Sequence, residues 1–189
     1  METGEENIRN IPNFLTALRV VIAFVLIYLI LAGFNIIIIV VLFSAGMITD
    51  ALDGQIARRY KMTTEFGRKF DMVADRILIL GAVLAFVIEF SSKEVFLASH
   101  WLQMILILSR EIISLPWVLW GLFSGRSFPQ VRFIGKFTTV LQAITFPAIL
   151  LSVFYSHFSF SFYLAIITSF SGAVSGIYYI KDVTKGAEK

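Results

Sequence analysis

Six stretches of about twenty or more apolar residues, at about 13–32, 35–57, 67–90, 94–122, 132–155 and 158–181, occupy nearly all of this 189-residue chain. A bilayer core of about 30 Å needs roughly 20 such residues per helix. The chain is therefore expected to be an all-α integral membrane protein, six transmembrane helices in one bundle. A hydrophobic share of 58% against 15% charged residues excludes an ordinary soluble domain. The first run is preceded by a polar, partly acidic leader, "METGEENIRN", with no small-residue cleavage site, so it is expected to stay as a span. No linker, low-complexity tract or internal repeat divides the chain, and 1–189 reads as a single membrane domain with 1–12 as a cytoplasmic or interfacial segment.

Lysine and arginine set the orientation. Arg9, the group Arg58, Arg59, Lys61, Arg68 and Lys69, the pair Arg126 and Arg132, and the tail lysines Lys181, Lys185 and Lys189 fall on one side, whereas "GFN", "EFSSKE" and "YSHFSFS" hold a single lysine between them. Both termini are expected in the cytoplasm, in a multi-pass protein of the cell membrane. The net charge of +3 reflects that asymmetry and suits anionic headgroups; it points to membrane lipids and to no nucleic acid. The chain has no cysteine, which removes disulfides, thiolate metal ligands and thiol nucleophiles.

Against that background stands "TDALDGQIARRYKMTTEFGRKFDMVAD", with Asp50, Asp53, Asp71 and Asp75 at the inner ends of apolar segments. A charge in a membrane span costs about 2.5–3.5 kcal/mol on insertion scales and usually faces a functional cavity. On helices, Asp50 and Asp53 are i and i+3, and Asp71 and Asp75 are i and i+4, so each pair shares a face. A short loop joining the two helices as an antiparallel hairpin would bring both pairs to a similar depth, facing the cytoplasm. Four facing carboxylates repel unless cations intervene. An all-oxygen set favours Mg²⁺, Mn²⁺ or Ca²⁺ over zinc, and two such ions form the usual clamp for displacement at phosphorus. Gly54 and Ala57, one turn beyond Asp50 and Asp53, leave a smooth trough with Arg58 at its mouth, and Gly67 could do the same opposite; close helix packing explains such small residues equally well.

The pattern Asp50-x-x-Asp53-Gly54-x-x-Ala57-Arg58, then eight residues, then Gly67-x-x-x-Asp71-x-x-x-Asp75 resembles the full signature of the CDP-alcohol phosphotransferase family. The resemblance implies transfer of a phosphoryl-linked group from a CDP-linked lipid to the hydroxyl of a second alcohol, with release of CMP. By that likeness the four aspartates would hold two divalent metal ions, Mg²⁺ or Mn²⁺, and Gly54, Ala57, Arg58 and Gly67 would receive the CDP portion. Asp75 would be the base that takes the acceptor's proton. The likeness also suggests a homodimer.

The acceptor is read from weaker features. "NIPNFLTALRV", "SREI" and "GKFTTVLQ" resemble phosphatidylglycerophosphate synthases, which use sn-glycerol 3-phosphate, although Met72 and Thr138 stand where those enzymes usually have proline and lysine. In "NIPNFLTALRV" itself, Leu15, Leu18 and Arg19 at helical spacing suit an interfacial segment leading into the first span, and the simple reading is a membrane anchor. Arg110, beside Glu111 in span four, lies about 22 Å from that span's outer end, near the aspartate level. It suits a phosphate anchor, or an ion pair with Glu111 or an aspartate. Arg132 and Lys136 at the entry to span five suit an acceptor phosphate or lipid headgroups. His100 and His157 read as interfacial residues, and Trp101, Trp117, Trp120 and Tyr155 as belt or packing residues. Pro116 and Pro147 are expected to kink spans four and five.

The leading expectation is a small phosphorylated alcohol as acceptor, sn-glycerol 3-phosphate first, in phospholipid biosynthesis. A cardiolipin-type or inositol-phosphate-using synthase is the alternative within the family, and a divalent-cation transporter the alternative outside it.

Overall fold

The computed structural model describes residues 11–59, 65–94, 96–123 and 133–185, while the side chains of 11–13, 49–66, Arg68, 121–132, Ser156, Val183 and Lys185 lie outside that description. Among the described residues the α-helices are α1 (Ile11–Leu31), α2 (Ile36–Arg59), α3 (Glu65–Phe90), α4 (Ala98–Ile107), α5 (Ser109–Phe123), α6 (Phe133–Ser152) and α7 (Ser161–Lys185), with one 3-10 turn at Ser156–Phe158 and no strand. Three segments, Phe14–Leu31, Phe133–Ser152 and Ser161–Asp182, are each long and apolar enough to cross a bilayer, and α4 with α5 makes a fourth if that bent pair is one span. Helix α3 is long enough but carries Asp75, Arg76 and Glu89 within its apolar part, so its composition alone does not mark it as a span.

The connection from α1 to α2 follows from local chemistry. Helix α1 ends where Gly33 takes φ +64°, a left-handed conformation that costs a Cβ-bearing residue energy. Phe34 N–H then reaches back to Leu29 O at 3.0 Å, closing the helix end. Asn35 starts the next helix by accepting a hydrogen bond from Ile37 N–H at 2.9 Å on its Oδ1.

Helix α1 is the organising element of one half of the bundle. It packs extensively against α3 and α2, whereas α2 and α3 touch each other little among the described residues. Helix α1 thus packs against both aspartate-bearing helices, while the connection expected to join them as a hairpin, residues 60–64, lies outside the described residues. Two glycines permit the approach. A Cβ on Gly46 would meet Leu78 Cδ2 at 3.2 Å and Ile22 Cγ2 at 3.5 Å, and one on Gly81 would meet Ile27 Cδ1 at 2.5 Å. In the other half α7 packs against α6, α5 and α4. The halves share a core in which Phe43 and Phe86 both meet Phe146, with ring centroids 4.7 and 6.5 Å apart.

Span four differs from the sequence expectation. It breaks at Leu108 with a bend of 42°, while α5 and α6 continue through Pro116 and Pro147. The cause is a side chain inserted into the helix ladder. Gln142 of α6 donates from Nε2 to Ile107 O at 3.0 Å and also to Glu111 Oε2 at 2.8 Å, satisfying a carbonyl at the break. His100 also differs from a simple interfacial residue. It is buried, and its Nδ1 accepts from Leu97 N–H at 3.0 Å, tying the entry of α4 to its first turn.

Candidate active site

The acidic half of the site is carried by α3. Gly67, Asp71 and Asp75 are successive i, i+4 positions, so they form one stripe on that helix. The Asp71 and Asp75 side chains are 42% and 37% exposed, so both carboxylates are accessible rather than sealed in the core. Opposite them is Arg19 of α1, fully buried, whose single Nη1 lies 2.7 Å from Oδ1 of both Asp71 and Asp75. These are short, charge-assisted hydrogen bonds. They draw two mutually repelling carboxylates to one point and fix their orientation.

Arg19 was expected to be part of a membrane anchor. The structure makes it the partner of two proposed metal ligands. The available sequence signal was a cation one-third of the way along an apolar run, the same signal that singled out Arg110.

The residues present fit a divalent cation. Asp71 and Asp75 offer hard oxygen donors that already converge on one positively charged atom. Among the described residues no group of three or more His, Cys, Asp or Glu side chains is placed to hold a metal. Helix α2 runs through Asp50, Asp53, Gly54, Ala57 and Arg58, but their side chains lie outside the described residues.

The basic half begins at the next residue of α3. Successive side chains on a helix diverge by about 100°, so Arg76 leaves the Asp75 face and turns toward α5. Its Nη2 donates to Ser114 Oγ at 3.3 Å and its Nη1 to Met72 O at 3.1 Å. Arg110, one turn before Ser114 on α5, donates from Nη1 to Thr139 Oγ1 of α6 at 2.8 Å. The Thr139 hydroxyl in turn donates to Gly135 O at 3.1 Å. Arg76 lies within electrostatic range of Arg110, Glu111, Tyr179 and Asp75. The ion pair between Arg110 and Glu111 allowed by the sequence is not formed; Glu111 Oε2 instead accepts from Gln142 Nε2 at 2.8 Å.

Close packing of α5 on α7 sets the depth of Arg110. A Cβ on Gly172 would meet Ser109 Oγ at 2.8 Å and Arg110 N and Cβ at 3.2 Å, and one on Gly176 would meet Ile113 Cγ2 at 2.7 Å. Lys136 is exposed on the first turn of α6 and makes no described contact with Arg110, and Arg132 lies outside the described residues. Thr138, at the position where lysine was noted as usual, is fully buried and shares a 2.8 Å hydrogen bond with Ser171, so it serves the α6–α7 seam. Met72 accepts a weak contact from Tyr179 Oη at 3.9 Å.

A helical bundle that gathers carboxylates on one side of α3 and guanidinium groups on the other is a site suited to phosphate chemistry. Residues 9–174 match the family model described as CDP-alcohol phosphatidyltransferase, and the chain belongs to that family. It is an enzyme of that family, a transferase. It is 36% identical over 150 residues, 75% of each chain, to a Haemophilus influenzae protein named CDP-diacylglycerol–glycerol-3-phosphate 3-phosphatidyltransferase. Relatives of the same name are 33% identical over 144 residues in Sodalis glossinidius, covering 75% of this chain and 76% of that one, and 32% identical over 138 residues in Escherichia coli K12, covering 71% and 73%.

Proposed function

We propose that the chain transfers the phosphatidyl-type group of a CDP-linked lipid, CDP-diacylglycerol or a diether equivalent, to the hydroxyl of sn-glycerol 3-phosphate, releasing CMP. The observation that carries this reading is the pair Asp71 and Asp75, accessible yet held 2.7 Å from Arg19. It is supported by the name shared by relatives that align over about three-quarters of the chain. The six-span topology with both termini in the cytoplasm, the single domain spanning 1–189 and a homodimer belong to the same proposal.

The acceptor oxygen attacks the lipid-bearing phosphorus as the bond from that phosphorus to the CMP oxygen breaks. The acceptor proton passes to Asp75, which is the general base in this reading. Asp50, Asp53, Asp71 and Asp75 would hold Mg²⁺ or Mn²⁺, two ions in all, which when bound supply charge neutralisation on the diphosphate and ease loss of CMP. Gly54, Ala57, Arg58 and Gly67 receive the CDP portion. Arg19 keeps Asp71 and Asp75 oriented, and Arg110 receives the acceptor phosphate, with Arg132 and Lys136 as basic residues at its entry.

The test incubates purified protein in lipid micelles with CDP-diacylglycerol, Mg²⁺ or Mn²⁺ and, separately, glycerol 3-phosphate, inositol phosphate, serine or phosphatidylglycerol. CMP and the lipid product are followed, with Asp75→Asn alongside. Release with glycerol 3-phosphate that disappears in the variant supports the reading. Release with another acceptor keeps the chemistry and replaces the acceptor. No release from folded protein with any acceptor moves the aspartates toward ion transport.

A further inference from the structure

The two guanidinium groups of the basic half have no carboxylate partner among the described residues. Arg76 is anchored through Ser114 and its own helix carbonyl, and its buried Nε–H has no hydrogen-bond partner. Among the described residues Arg110 is anchored through Thr139 alone. The nearby carboxylate, Glu111, is engaged by Gln142. Each guanidinium carries five N–H donors in a planar fork, so most donors of the pair remain for another acceptor. Two like charges in an apolar bundle are expensive, and Glu111 and Asp75 offset that of Arg76 only through space, without a described direct ion pair.

We propose that Arg76 and Arg110 together grip the phosphate of the acceptor, making Arg76 a binding residue that selects alcohols bearing a phosphate monoester. The inference rests on the phosphorylated-acceptor reading above and deepens it. Two forks reaching from different helices match a dianionic phosphate better than one, since each can form paired bonds to its oxygens. Tyr179 of α7 lies in electrostatic range of both arginines, with its Oη 3.9 Å from Met72 Sδ on α3.

An acceptor without a phosphate, such as serine, leaves both forks unpaired, and sites built around buried polar groups reject such analogues strongly.

The experiment uses the full-length protein in lipid nanodiscs. Rates of CMP release give KM for glycerol 3-phosphate and for CDP-diacylglycerol in the wild type, Arg76→Lys and Arg76→Gln. Thermal unfolding with and without inorganic phosphate reads anion binding in the absence of turnover. Loss of one charged fork is expected to raise KM for glycerol 3-phosphate about tenfold or more in R76Q, to leave KM for the CDP-lipid within about twofold, and to abolish stabilisation by phosphate. R76K is expected to fall between, because a point charge replaces a fork. An unchanged acceptor KM, or phosphate stabilisation retained in R76Q, overturns the role of Arg76 and leaves it a packing partner of Ser114. If R76Q does not fold, Ser114→Ala, which loosens Arg76 without removing it, is expected to raise the acceptor KM about two- to fivefold; no change there also overturns the role. Wild-type release of CMP with an unphosphorylated acceptor in place of glycerol 3-phosphate overturns the acceptor reading itself, a result distinct from failure at Arg76 alone.

Discussion

Asp75 and Arg76 are consecutive in α3 and serve opposite sides of it: Asp75 Oδ1 lies 2.7 Å from Arg19 on α1, while Arg76 Nη2 lies 3.3 Å from Ser114 on α5. The helix thus works as a partition. Its acidic stripe faces the seam that α1 occupies, and its next residue reaches the broken span. In the proposed reaction, the base and the acceptor's phosphate anchor are thus carried by one rigid helix, on different faces of it.

Arg19 is the first residue to test. Replacing it with glutamine removes the cation that joins Asp71 and Asp75, and outer partners of metal-binding carboxylates typically account for about 10- to 100-fold in activity or metal affinity. Arg19→Gln is expected to lower CMP release by that order. Arg19→Lys is expected to recover part of it, since one nitrogen bridges both carboxylates. Rates and thermal unfolding measured on the same preparations separate loss of function from loss of fold.

Direct loss of a carboxylate acts more strongly. Asp71→Asn and Asp75→Asn are each expected to weaken Mn²⁺ binding, read by electron paramagnetic resonance on protein without substrate, by more than the roughly 10- to 100-fold range of an outer partner. A chelator is expected to stop CMP release, and added Mg²⁺ or Mn²⁺ to restore it. Unchanged Mn²⁺ binding in both variants would remove these residues from the metal set.

Much of the architecture was legible because it is written in local period and cost. Apolar runs of bilayer length give the helices, and Asp71 and Asp75 at i, i+4 give the acidic stripe that α3 presents. The role of Arg19 was not legible, because the residues it joins lie more than fifty positions away and no local pattern links them. Arg76 was hidden by its neighbour, since a signature centred on Asp75 draws no attention to the next side chain. The break at Leu108 has no glycine or proline to announce it. It depends on Gln142, in another helix, and becomes visible only when α4, α5 and α6 are packed together.

That origin of the break can be measured. Gln142→Leu leaves Ile107 O and the buried Glu111 carboxylate without their described partner, and an orphaned buried polar group costs about 1–3 kcal/mol, more when charged. The single variant is expected to lower the unfolding temperature clearly. The double variant Gln142→Leu with Glu111→Leu is expected to be more stable than Gln142→Leu alone, since removing both partners leaves no stranded carboxylate. Additive losses would argue against the bridge as the reason span four bends.

The close approach of α7 to α5 yields the last prediction. A methyl group at Gly172 would sit 2.8 Å from Ser109 Oγ and 3.2 Å from the Arg110 backbone nitrogen. The hydroxyl can rotate away, but the backbone cannot, so the helices must separate. Overpacking of this kind costs about 1–3 kcal/mol, and here it also shifts the backbone that carries Arg110. Gly172→Ala is therefore expected to lower the unfolding temperature and to raise KM for glycerol 3-phosphate more than KM for the CDP-lipid. Adding Ser109→Gly removes the nearer obstacle and the hydrogen bond from Ser109 Oγ to Ser169 O at 3.3 Å, so it is expected to restore stability only in part. Gly176→Ala meets Ile113 Cγ2 at 2.7 Å and Cβ at 3.1 Å, and Ile113→Ala, which removes Cγ2, is expected to relieve the clash in part. Equal effects on both KM values in Gly172→Ala would show that α7 supports the fold without setting the depth of Arg110.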